Sequence, residues 1–153
     1  MRIKLTSISL LAALSLLLSG CAHKSEMDKY IDVLMSKMTV EQKIGQLNLH
    51  SAAGFVSALR VTENDENVKL LRKGELGGIY GTGNVEAMIE YQKIALESGA
   101  GIPLIFGMDV IHGYETTFPI PLGISTSWNL ELIEKSARIA AREASSCGIN
   151  WVF

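Results

Sequence analysis

The sequence predicts an α/β fold with parallel strands, cut short on its C-terminal side. Three observations predict it. Short apolar runs bounded by glycine or proline alternate with stretches of helical periodicity. The segments between the runs are long enough for helical crossovers, which join parallel strands with a right-handed turn. The last run, residues 149–153, has nothing after it, and a strand apolar on both faces makes a poor sheet edge.

Residues 1–20 read as an export leader. Arg2 and Lys4 give a positive start, and residues 5–18 form an apolar stretch too short for a comfortable membrane span. Leu18-Ser19-Gly20-Cys21 resembles the bacterial lipobox, in which small residues leave room for the peptidase and the Cys21 thiol carries a diacylglyceryl group. The plainer alternative is an ordinary signal peptide with a chance cysteine. Ala22 stands where an aspartate would suggest inner-membrane retention, so an outer-membrane anchor is expected, on the periplasmic face or the cell surface. A polar tether is expected over residues 21–28, with Lys24, Ser25, Glu26 and Asp28, and the folded portion over 29–153.

Loss of Arg2 and Lys4 with the leader leaves twelve basic against sixteen acidic residues, taking the net charge from −2 to −4. No basic block exists, which argues against a nucleic-acid partner. With Cys21 lipidated, Cys147 is single and is expected to be a buried, inert thiol.

Along the chain, Ile31, Leu34, Met35 and Met38 mark one face of a helix over residues 27–38. Thr39 and Gln42 form a capping-box pattern for a second helix from Val40 through Ile44 and Leu47. Residues 51–61 lack periodicity and read as loop. A short polar helix over 64–73 follows, closed by Gly74. Residues 76–81 suit a buried strand. Asn84 caps a helix over 85–98 whose inner face is Met88, Ile89, Ala95 and Leu96. Residues 104–108 form a second strand, and 110–128 are irregular. Asn129 caps a helix to Cys147, with Leu132, Ile133, Ile139, Ala140 and Ala144 inward and Gly148 past its end. Residues 149–153 are the third strand. A closed (β/α)8 barrel typically needs about 250 residues; the 133 left of the 153 after the leader are too few.

Asp109 lies at the carboxyl end of the second strand, where barrel enzymes carry their working residues. A carboxylate there can accept paired hydrogen bonds from neighbouring sugar hydroxyls. A helix cap or turn aspartate explains the position equally well.

The wider segment, Phe106-Gly107-Met108-Asp109-Val110-Ile111-His112-Gly113-Tyr114-Glu115-Thr116-Thr117-Phe118-Pro119-Ile120-Pro121-Leu122-Gly123, resembles the early signature of glycoside hydrolase family 3, β-glucosidase branch. Met38-Thr39-Val40-Glu41-Gln42-Lys43-Ile44-Gly45-Gln46-Leu47, Ser127-Trp128-Asn129, Glu143-Ala144 and Gly148-Ile149-Asn150-Trp151-Val152-Phe153 are similar to the family's flanking elements, in order. The family's N-acetylglucosaminidase branch carries Asp-Gln-Glu-Gly-Gly at the strand end, where this chain has Asp109-Val110-Ile111-His112-Gly113.

The resemblance implies the N-terminal part of a (β/α)8 TIM-like barrel with about three strands present. It implies that Asp109 holds hydroxyls of the sugar in the −1 subsite. His112, Tyr114 and Phe118 are expected to brace the pocket wall, His112 through a structural hydrogen bond. Trp128 and Trp151 could stack on sugar, but a helix cap and strand alternation favour core packing. Glu115 is expected in an irregular, solvated loop, and Glu143, in mid-helix, on the helix surface or in a buried structural pair.

The implied reaction is hydrolysis of a terminal, non-reducing β-linked glucose by the retaining mechanism. That needs two carboxyl groups about 5–5.5 Å apart. In the family the nucleophilic aspartate lies late in the barrel, the acid/base usually in a following domain, and a Lys-His sugar-binding pair between; none matches a residue up to Phe153. A fragment of a lipid-anchored β-glucosidase, inactive by itself, is therefore expected, with a non-catalytic sugar-binding or degenerate lipoprotein as the alternative. The implied partners are a β-glucoside and, through Cys21, a membrane. No metal-ligand cluster, phosphate cradle or redox motif stands out, so no cofactor is expected; Gly78, Gly81 and Gly83 lack dinucleotide spacing.

Overall fold

The computed structural model describes residues 24–52, 61–63 and 65–153. The leader, Cys21 and most of the 51–61 segment lie outside the described residues. The chain divides into two compact units, residues 1–37 and 38–153.

In the first unit, helix α1 spans Glu26–Lys37. Ser25 and Asp28 cap it reciprocally: the Asp28 N–H donates to Ser25 Oγ and the Ser25 N–H to Asp28 Oδ2, both at 3.1 Å. The helix thus begins inside the segment expected to be a tether.

The second unit is a four-stranded parallel sheet with helical crossovers, its strands in the order β1-β2-β3-β4. The expected capping box is present at α2, Val40–Gly45, with Gln42 N–H on Thr39 Oγ1 at 3.2 Å and Thr39 N–H on Gln42 Oε1 at 3.1 Å. The helix stops earlier than its pattern suggests, and Leu47 is 86% exposed. A close approach lies at this end of the helix. A Cβ on Gly45 would lie 2.3 Å from the backbone of Glu75, and one on Gly77 would lie 2.1 Å from the Gln46 carbonyl oxygen. The chain therefore turns at once into β1, Leu49–Ser51.

Strand β1 corrects the expectation of three strands. It pairs with β2, Gly78–Tyr80, through Leu49 with Gly78, His50 with Ile79 and Ser51 with Tyr80. The polar groups that hid it find partners on buried Asn67, whose Nδ2 donates to the Ser51 carbonyl at 3.0 Å and whose Oδ1 lies 3.3 Å from His50 Nδ1. Asn67 belongs to α3, Glu66–Lys73, capped by Asp65 and closed by Gly74 at φ +74°.

Asn84 caps α4, Val85–Glu97, through the Ala87 N–H at 2.8 Å. Its buried face is Ala87, Met88, Tyr91, Ile94 and Ala95; Ile89 and Leu96, expected inward, are half exposed. Tyr91 turns the face. Its ring is buried while its hydroxyl donates to Asp65, so the residue packs as an apolar body with a polar tip. Burial and that carboxylate push the Tyr91 phenol far above its ordinary range.

Strand β3, Ile105–Met108, pairs with β2 on one side and with β4, Trp151–Val152, on the other. A short α5, Pro121–Ser125, interrupts the expected irregular region. Asn129 caps α6, Leu130–Ser146, as expected. Ala140 and Ala144 are buried, Ile133 and Ile139 half-buried, and Leu132 exposed. Trp128 is 92% exposed, not core, and holds φ +51° at the turn into α6. Trp151 is also partly exposed.

One sheet face is packed. Ile79 and Phe106 are buried in one cluster with Val68, Leu71, Met88, Ala140, Ala144 and Ile149. Burying side chains of this size contributes about 1.5–3 kcal/mol each. Register places Ser51, Tyr80, Gly107 and Trp151 together on the opposite face. Among the described residues no helix is long and apolar enough to cross a membrane.

Gly45→Ala is expected to destabilise the fold by about 1–3 kcal/mol, the usual cost of overpacking. A urea unfolding midpoint unchanged by the substitution would refute the close-approach explanation.

Candidate functional site

The carboxyl ends of the strands are stitched together around Asp109. Gly81 N–H donates to the Gly107 carbonyl at 3.0 Å, and Phe153 N–H to the Met108 carbonyl at 3.2 Å. Asp109 follows directly and is exposed. Strand alternation sets it on the same face as Ile105 and Gly107, the face away from the helices.

That face carries an aromatic group that sequence reasoning missed. Phe153 meets Tyr80 edge-on at 6.3 Å and Trp151 at 5.2 Å. Gly107 makes the room: a Cβ there would lie 2.7 Å from the Phe153 ring and 3.4 Å from Tyr80 Cβ. A glycine inside an apolar strand was the available signal.

The loop after Asp109 folds on itself. Val110 is buried and anchors it. Phe118 N–H donates to the His112 carbonyl at 2.7 Å. Gly113, at φ +120°, bridges to Ile111 and Thr117, and a Cβ there would sit 1.9 Å from the Thr116 carbonyl oxygen. Only glycine fits both constraints.

Glu143 holds this loop from α6. Its Oε2 accepts the Thr116 N–H at 2.8 Å and the Glu115 N–H at 3.0 Å, and its Oε1 accepts the Thr116 hydroxyl at 2.6 Å. The Thr116 hydroxyl and N–H, with the Glu115 N–H, outweigh desolvation and hold the Glu143 carboxyl below the ordinary carboxylate range. Sequence reasoning expected a helix-surface residue or a buried structural pair here; the partner is a backbone turn.

The residues expected to form one wall separate. His112 and Phe118 line an apolar cavity of about 410 Å³ under the loop, beside Val110, Ile124, Ile133 and Val152; Asp109 does not line it. Tyr114 packs against the core, with its hydroxyl near Cys147, and burial followed by that thiol pushes the phenol up. Cys147 is half-buried at the end of α6, less enclosed than expected. Glu115 is exposed, as expected. Among the described residues no group of His, Cys, Asp and Glu is placed to hold a metal ion.

The family model described as the glycosyl hydrolase family 3 N terminal domain matches residues 39–153. The chain belongs to glycoside hydrolase family 3. Its similarity is to the β-glucosidase branch. It is 35% identical over 124 residues to a periplasmic beta-glucosidase of Salmonella typhimurium, covering 80% of this chain and 15% of that protein. It is 27% identical to a lysosomal beta glucosidase of Dictyostelium discoideum, covering 84% of this chain and 18% of that one. Among solved structures, the Listeria innocua beta-glucosidase in complex with isofagomine matches at TM-score 0.68 and 32% identity, over 84% of this chain and 18% of that one. The chain therefore spans less than a fifth of these relatives. As a family 3 member, its sheet is the opening part of a (β/α)8 barrel, with four strands where three were expected.

The Glu143 clamp's contribution is fully present above the ordinary carboxylate pKa and is lost as pH falls through the depressed one. Amide exchange at Glu115 and Thr116 is therefore expected to lose protection in that acidic window. An identical pH profile in Glu143→Gln would refute the assignment.

Proposed function

We propose that this chain serves in a retaining β-glucosidase that removes terminal, non-reducing β-linked glucose, and that Asp109 binds hydroxyls of the sugar in the −1 subsite. The observation that carries the reading is the position of Asp109. It is an exposed carboxylate at the end of a barrel strand, on the open face, within the segment matched by the family. Two neighbouring hydroxyls can each donate to one of its oxygens, and such charge-assisted bonds contribute about 1.5–3 kcal/mol each. His112 and Phe118 shape the loop through the cavity they line, and Tyr114 ties the loop to the core. The nucleophile and acid/base are assigned to regions of the enzyme that match no residue of 39–153.

Asp109→Ala, in protein expressed from its own gene, is expected to lower kcat/KM on an aryl β-glucoside about 100- to 10,000-fold, the loss of two charge-assisted bonds. Full activity in that variant would remove Asp109 from the subsite.

We also propose export and lipid anchoring, with a signal peptide over 1–20, lipidated Cys21 and an outer-membrane location. Support comes from the leader pattern and from a relative named periplasmic. Cys21→Ser is expected to move the protein from the membrane fraction to the soluble one. Unchanged membrane partitioning would refute the anchor.

A further inference from the structure

Glu143 takes three hydrogen bonds, all from one turn of the loop that leaves β3. Its place on α6 is fixed on both sides. Asn129 caps the helix start, and Ala140 and Ala144 are buried against the sheet, so the carboxylate has little freedom to move along the chain axis. From Thr116 the path back to Asp109 has no slack. The Thr116 carbonyl rests where a Gly113 side chain would be. Gly113 bridges to Ile111 and Thr117. Val110 is buried.

We infer that Glu143 is the positioning residue of the Asp109 loop: by holding the 115–116 turn against α6 it fixes the strand end that presents Asp109 to a sugar. This rests on the sugar-binding role proposed for Asp109. Two of the three partners, the Glu115 and Thr116 N–H groups, can only donate, and both meet Oε2; the Thr116 hydroxyl meets Oε1. An ionised glutamate supplies two oxygens for three donors. A glutamine would replace the charged acceptor of the two amides by a neutral one, and an alanine would release the turn to water.

The test is a double-mutant cycle on protein expressed from its own gene, reading kcat/KM on an aryl β-glucoside. Asp109→Asn supplies the second background. Glu143→Ala is expected to cost about 10- to 100-fold in the wild-type background and less than about 3-fold beside Asp109→Asn, because coupled residues are non-additive. Thr116→Val removes one bond of the three and is expected to lose a few-fold with the same dependence on Asp109; it carries the comparison if Glu143→Ala does not fold. Backbone amide exchange over 109–113 is expected to quicken in Glu143→Ala, or in Thr116→Val if that variant stands in. Equal losses in both backgrounds, or unchanged exchange over 109–113, would overturn the inference. Full activity in Asp109→Asn would sink the role given to Asp109, while quickened exchange would still uphold the clamp.

Discussion

Parallel pairing is the constraint on which the rest of the structure depends. Parallel neighbours need crossovers, and right-handed crossovers put their helices on one side of the sheet. That single fact gives β1 to β4 one packed face and one open face. Ile79 and Phe106 face the helices, and the residues next to them, Tyr80 and Gly107, face the other way. The same alternation carries Asp109 to the open face. The side of the sheet on which a carboxylate emerges is thus decided by how the backbone is hydrogen-bonded, several residues before the carboxylate itself.

Much of this was legible where chemistry is local. Thr39, Asn84 and Asn129 announced their helices because a capping side chain bonds to a backbone amide three residues on. Gly148 marked a helix end because the chain leaves α6 through a left-handed backbone that favours glycine. Strand β1 was illegible because its sequence, Leu-His-Ser, carries no apolar alternation; the partner for its polar groups, Asn67, lies on the following helix. The inner face of α4 was misread because Tyr91 buries its ring only by handing its hydroxyl to Asp65, 26 residues earlier.

The site divides in the same way. Asp109 stood out because a strand end is a local feature. His112, Tyr114 and Phe118 lie on the loop after β3, where the family resemblance implied that they brace the pocket wall. Around the compact turn at Gly113, Tyr114 packs against the core while exposed His112 and half-buried Phe118 line a separate cavity. Glu143 could not be read as a clamp, since two of its three partners are backbone N–H groups, which every residue but proline owns.

The Glu143 clamp also sets an order of assembly. Its partners precede it by 27 and 28 residues, so during synthesis the loop exists before the group that holds it. Strands β2 and β3 both precede α6 in the chain. The loop gains its anchor only when α6 has formed and docked through Ala140 and Ala144. The scaffold comes first and the shape of its working edge second, with the late helix acting as the latch.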